Sequence, residues 1–205
     1  SSYGVELYEA SARIIAEQIV EDPDLYLQVV PCDPAAADDA ECADEALGML
    51  ARRAWRRPLE DAERTALASL VATIGGRSGS FSTGVEYGIT AVLQSPHFLY
   101  RVEHGTESGS SRPLTDWELA SRLSFLLWNS IPDEALLEAA EAGALQDEAG
   151  LAAQAERMLE DDRAVQGIRN QFDEVFHLYD LEELNKDPTV FTHAHPDMGL
   201  LAREE

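Results

Sequence analysis

The sequence predicts an all-α fold, a multi-helix bundle of about eight or nine helices arranged in two small modules. Apolar residues recur at spacings of three and four along most of the 205 residues, and strict alternation over a strand length is hard to find. Where the periodicity breaks, it breaks at Pro, Gly pairs and capping residues, the ordinary stop and start signals of helices. A hydrophobic content of 45% with 26% charged residues is that of a folded chain, because an acidic disordered chain is poorer in Leu, Ile, Val and aromatics.

A first helix fits residues 3–20, with Val5, Tyr8, Ala12, Ile15 and Ile19 on one face, and Pro23 stops it. Residues 25–30 read as a short extended stretch, followed by a Pro-, Ala- and Asp-rich loop over 31–42. The second helix spans about 43–55 and ends before Pro58. The third spans about 60–74. Its acidic first turn (Glu60, Asp61, Glu63) complements the helix dipole, and the Gly75-Gly76 pair is expected to end it. The fourth spans about 81–94, with Phe81, Val85, Ile89 and Val92 on one stripe, and stops at Ser95-Pro96.

Residues 104–112, with Gly105, Gly109 and three serines, read as a linker, and divide the chain into modules 1–108 and 109–205. Thr115-Asp116-Trp117-Glu118 has the capping-box spacing. Its helix runs through Leu119, Leu123, Leu126 and Leu127 and is broken at Asn129-Ser130-Ile131-Pro132. Shorter helices fit 133–142, 148–159 and 162–179, with His177 packing on a helix face among Phe172, Phe176 and Tyr179. Residues 184–196 read as irregular, and 200–205 as the opening of a further helix. A chain that starts Ser1-Ser2-Tyr3 and closes on such an opening is expected to be a piece of a longer protein, whose compartment these termini leave open. No apolar run of 18 residues is present, so no membrane span is expected.

The formal net charge of −24 repels phosphate backbones and anionic lipid, which argues against nucleic acid and against electrostatic membrane docking. Lys186 is the only lysine among 15 basic residues. Two readings of the acidic, Arg-for-Lys bias stay open: the codon usage of a GC-rich genome, and adaptation to salt.

The one basic island is Arg52, Arg53, Arg56 and Arg57 around Trp55. Guanidinium forks and an indole face suit a carboxylate, a sulfate or an acidic polymer. Arginines in a last helical turn also favour its negative end and find partners among 39 carboxylates, with Trp55 packed inward. His193-Ala194-His195, with Asp187 and Asp197 nearby, is the best metal candidate, since alternate histidines in an extended segment can both reach Zn²⁺ or Cu²⁺. Two such ligands fall short of the three or four a site needs. Asp33, Asp38, Asp39, Glu41 and Asp44 offer oxygens of the kind Ca²⁺ takes, but without EF-hand spacing, and a solvated acidic loop is the preferred reading. Ser95, His97 and Glu103 lie close in sequence; without Gly-x-Ser-x-Gly the segment 95–101 reads instead as an apolar plug of Phe98, Leu99 and Tyr100. No catalytic residues are assigned.

Three segments together carry a family resemblance: Arg53-Ala54-Trp55-Arg56-Arg57-Pro58-Leu59, then the eleven residues Leu93-Gln94-Ser95-Pro96-His97-Phe98-Leu99-Tyr100-Arg101-Val102-Glu103, then Arg122 through Asp133. The chain resembles, over roughly residues 30–205, the large secreted proteins of unknown function typical of planctomycetes and myxobacteria, built from consecutive helical modules and often fused to c-type cytochrome or carbohydrate-binding domains. The resemblance implies an exported setting and, as partners, other domains of the same polypeptide, with a carbohydrate or a redox partner in that context. It supplies no catalytic residues. Covalent c-type haem attachment needs Cys-x-x-Cys-His, which this sequence does not contain.

In an exported protein, Cys32 and Cys42 flanking a short loop are most simply a disulfide, and two free thiols in a reduced cytosol are the alternative. The function expected is that of a non-catalytic helical scaffold or interaction segment positioning neighbouring domains. The alternative is a partial active site of a redox or polysaccharide-degrading enzyme, completed by further C-terminal sequence.

Overall fold

Eleven α-helices and one 3₁₀ turn make up the regular structure of the described residues in the computed structural model, which are 2–106, 112–183, 186–187, 189–192, 195 and 197–204. In order they are α1 (Ser2–Glu21), α2 (Pro23–Val29), α3 (Ala40–Trp55), α4 (Asp61–Ser78), α5 (Phe81–Gln94), α6 (Pro96–Leu99), α7 (Asp116–Trp128), α8 (Glu134–Glu141), α9 (Glu148–Leu159), α10 (Asp162–Phe176) and α11 (Met198–Glu204), with the 3₁₀ turn at Leu178–Glu183. The all-α expectation holds. The two helices beyond the expected nine are the short α2 and α6. Contacts group the chain into two units, Ser1–Ser121 with Ile131–Gln146, and Arg122–Ser130 with Asp147–Glu205.

In the first unit α5 is the hub, packing on α1, α3 and α4. Phe81, Val85, Ile89 and Val92 are all buried, as their spacing predicts, and join Leu47 and Val71 in one core. The expected face of α1 is corrected in part: Ala12 is buried and Ile19 packs against the core as expected, but Val5, Tyr8 and Ile15 are exposed, and Ala16 is the other buried residue. Small side chains let α1 lie close to α5, which the larger ones one turn away would prevent. Residues 25–29 are corrected from extended to helical, and Val30, the C-cap, is extended. Pro23 opens α2 instead of only closing α1, because Asp22 Oδ1 accepts from Asp24 N at 2.9 Å and Leu25 N at 3.2 Å, and a proline at the first helical position forfeits no hydrogen bond.

The Gly75-Gly76 pair does not end its helix. α4 runs through it to Ser78, and Gly79, with φ of 75°, supplies the left-handed cap. Gly75 is there for space: a Cβ on it would lie 1.9 Å from the Ala37 carbonyl oxygen, whereas one on Gly76 would stand 3.2 Å from Asp38 Cβ. Ala37 and Asp38 sit in the loop closed by the Cys32–Cys42 disulfide, which is formed. That loop is tied from inside by Asp39, whose carboxylate caps α3 by accepting from Glu41 N and Cys42 N at 3.1 Å and also accepts from Ala35 N at 2.9 Å.

The Thr115–Glu118 capping box is present, with Thr115 N donating to Glu118 Oε2 at 2.8 Å and Glu118 N donating to Thr115 Oγ1 at 3.2 Å. The same carboxylate takes His104 N at 2.6 Å and Gly105 N at 3.0 Å through Oε1. Thr106 N donates to the Pro113 carbonyl at 2.8 Å, so both sides of the Gly- and Ser-rich stretch are anchored at the start of α7. Residues 145–146 return to the same point, Leu145 N and Gln146 Nε2 both donating to the Asp116 carboxylate.

Partial burial raises the Glu118 pKa, but the backbone N–H groups of Thr115, Gly105 and His104 outweigh it and hold the carboxyl below its ordinary value. A carboxylate whose folded pKa is lowered stabilises the fold fully above the unfolded value of about 4.3, and that contribution is lost as pH falls through the folded pKa. Glu118→Gln is therefore expected to lower Tm near neutral pH, with the gap to the wild type closing as the pH drops below about 4. A gap that stays constant across a pH series of thermal melts would contradict this role.

In the second unit the C-terminal part of α7 meets α9 and α10. Trp128 and Met158 are buried, and the indole N–H donates to the Met158 carbonyl at 2.9 Å. Gly167 of α10 approaches α7 so closely that a Cβ there would stand 2.1 Å from the Leu127 carbonyl oxygen. Arg163 lies 3.5 Å above the Trp128 ring centroid and is held by Asp161, whose pKa falls to about 2, first through the Arg163 side-chain hydrogen bond and then through the Arg163 backbone N–H. α10 ends at Phe176 rather than at 179. His177 takes a left-handed φ of 52°, and its Nδ1 reaches the Tyr179 hydroxyl. The expected packing role of His177 is corrected by this turn, since the residue is exposed at the helix end.

Candidate anion-binding cluster around Trp55

All five residues of the basic island fall at the C-terminal end of α3 or just beyond it. Trp55 faces the core of its unit and is 8% exposed, its indole N–H donating to the Val92 carbonyl at 3.2 Å. The indole is flanked by the His97 ring, with centroids 5.3 Å apart, and by the Arg57 guanidinium at 5.7 Å.

Arg56 is the C-cap of α3, with φ of 61°, and is only 5% exposed. The left-handed turn sends its guanidinium back beneath α6, where it donates to the carbonyls of Ala54 at 2.8 Å, His97 at 2.6 Å and Tyr100 at 3.1 Å. Burial lowers its pKa, and the neighbouring Arg101 adds to the effect. A guanidinium starts so far above neutrality that it remains charged. A buried charge of this kind is tolerated because carbonyl oxygens replace its water.

Arg57 grips Glu63 with a two-pronged fork, 2.7 and 2.9 Å, and also donates to the Pro58 carbonyl. Glu63 completes the capping box of α4 by accepting from Glu60 N at 2.8 Å, and His97 Nε2 stands 3.5 Å from its other oxygen. The Arg57 hydrogen bond is the main cause holding the Glu63 carboxyl below its usual range; burial opposes it and the Glu60 N–H assists. The same bond pushes Arg57 up. Arg52 pairs with Glu134 and Glu141 of α8, the latter at 3.0 Å, and its guanidinium lies 5.8 Å from the Trp117 ring centroid. Arg53 is exposed.

The hydrogen bonds found for Arg52, Arg56 and Arg57 are thus directed at acceptors of their own unit, where they tie the end of α3 to α4, α6 and α8. Sequence spacing had marked the cations but not these acceptors. In the sequence Glu63 is one carboxylate of an acidic first turn, and Glu134 and Glu141 lie more than eighty positions from Arg52.

Of the other candidates, Ser95 Oγ accepts from His97 N at 3.2 Å and so caps α6. Phe98 packs against the core, whereas Tyr100 is 62% exposed. His193 lies outside the described residues. His195 is exposed and its Nδ1 faces Asp197, 3.2 Å from the backbone N and 3.5 Å from a carboxylate oxygen. Among the described residues no group of three or more His, Cys, Asp or Glu is placed to hold a metal ion. None of their helices is long and apolar enough to cross a membrane.

A further surface lies on α10. On α10, Ala164 and Gly167 are buried, while Val165, Phe172, Val175 and Phe176 are exposed, with Ile168 at the margin. The apolar residues recur at three and four, but the small residues Ala164 and Gly167 mark the contact side.

Fold and cluster together define an all-helical, disulfide-stapled segment of two units whose main basic cluster is internally paired. Residues 42–103 match the family described as PSD5, protein of unknown function (DUF1595), and residues 114–205 match the family described as PSD4, protein of unknown function (DUF1592). The chain is thus similar to two uncharacterised families in succession. No curated protein and no solved structure matches it.

Proposed function

We propose that this chain is a helical interaction segment of a larger exported protein, and that it positions neighbouring domains of the same polypeptide by helix packing. The apolar stripe left exposed on α10 carries the reading, because a face of this kind on a folded unit is a surface made for another element. Three further features support it. The arginines around Trp55 hold the first unit together, so its strongest candidate for gripping an outside anion is already engaged. The Cys32–Cys42 disulfide suits an oxidising compartment. Consecutive matches to two families fit a multi-module protein.

A photo-cross-linking residue in place of Val175, introduced into the full-length exported protein, tests the proposal. Cross-links from α10 to another domain of the same polypeptide are expected. Failure to cross-link to any protein segment, in a preparation whose disulfide is intact and whose melt matches the wild type, would overturn it.

A further inference from the structure

The α10 stripe also specifies what kind of element covers it. Val165, Phe172 and Val175 are 56%, 51% and 62% exposed and succeed one another along three turns, a length suited to a partner helix rather than to one loop. The rings of Phe172 and Phe176 stack on each other, with centroids 5.6 Å apart and planes 4° from parallel, so part of this surface is already set as a flat apolar platform.

Charge selects among occupants. Over residues 160–180 six carboxylates stand against two arginines, and one of these, Arg163, is engaged by Asp161 and by the Trp128 ring. A second copy of the chain would bring another −24 to the same acidic surroundings, and an anionic lipid surface would bring the same sign. We infer that α10 receives an amphipathic helix whose apolar stripe is flanked by Lys or Arg. This rests on the reading of the chain as an interaction segment and narrows it to a partner chemistry: apolar contact fixes the pose, and the basic flanks meet the acidic unit.

The probe is a synthetic peptide of about 15 residues, Leu at the a and d positions of a heptad and Lys elsewhere, titrated calorimetrically into the intact chain. One-to-one binding is expected, weakening as salt is raised. The Phe172→Ser, Val175→Ser double variant is expected to bind at least about tenfold more weakly, as is a peptide of the same composition scrambled to lose its stripe. A Leu/Glu peptide of the same pattern is expected not to bind. Equal affinity for the variant and the wild type, or for the scrambled and patterned peptides, would overturn the inference by reducing the effect to bulk acidity. So would sedimentation showing that the wild type alone dimerises and the variant does not, since that assigns the stripe to a second copy. The substituted side chains are both exposed, and Val165→Ser provides an independent variant should the double one melt early. If the peptide fails while Val175 still cross-links to a neighbouring domain, only this inference falls; if both fail, the interaction reading falls with it.

Discussion

Gly75→Ala is expected to destabilise the protein by about 2–3 kcal/mol in urea unfolding, even though alanine is ordinarily the better helix residue by about 1 kcal/mol. The added methyl would stand 1.9 Å from the Ala37 carbonyl oxygen, a backbone atom that no rotamer change can move. The loop that carries Ala37 cannot retreat freely either, because the Cys32–Cys42 bond closes it and the Asp39 carboxylate ties it to the start of α3. Gly76→Ala is the internal control. Its methyl would meet only the Asp38 side chain at 3.2 Å, so a change within about 0.5 kcal/mol is expected. Combining Gly75→Ala with Cys32→Ser and Cys42→Ser should recover part of the loss, since an open loop can step aside; the two sets of changes are then non-additive. A Gly75→Ala protein as stable as the wild type would mean that the loop is not seated on α4.

Arg56→Ala is expected to cost about 3 kcal/mol. The substitution removes the donors to three carbonyls, those of Ala54, His97 and Tyr100, at a position only 5% exposed. The backbone conformation separates two contributions. With φ of 61°, arginine already bears the cost of a left-handed turn, and alanine inherits it. Arg56→Gly relieves that strain while losing the same hydrogen bonds, so it should be about 1 kcal/mol more stable than Arg56→Ala and still clearly below the wild type. Arg56→Lys cannot serve the diverging acceptors with a planar fork and should fall between wild type and alanine. Chemical denaturation of the four proteins provides the ranking. A glycine variant equal to the wild type would show that the guanidinium contributes no more than the roughly 1 kcal/mol that glycine recovers in the turn.

Much of the helix plan could be read before any coordinates. The span of α9 over 148–159, the buried stripe of α5 and the Thr115–Glu118 capping box are local properties, fixed by residues within a turn or two of each other. What escaped was set by distant partners. Gly75 and Gly76 look like a stop signal until Ala37 and Asp38 are seen against them, and Val5, Tyr8 and Ile15 look like part of the core face of α1 until Ala16 is seen turned inward beside Ala12. Pro23 follows the end of α1 but also opens α2, because the Asp22 side chain just before it caps the new helix. The same holds for the basic island: its residue types were conspicuous, whereas Glu63, Glu134, Glu141 and the carbonyls of α6 that receive them were not. The disulfide was legible only through the exported setting that the family resemblance implies.

Trp55 and Trp128 sit in different units, and each is buried with its indole N–H on a backbone carbonyl, Val92 in one and Met158 in the other. The molecule therefore carries a built-in optical reporter for each half. With Trp117→Phe removing the third, half-buried emitter, Trp55→Phe and Trp128→Phe in turn leave a single fluorophore whose red shift on unfolding belongs to one unit alone. Whether the halves melt together or one after the other can then be followed by emission wavelength, without attaching a dye to a chain whose only cysteines are already joined.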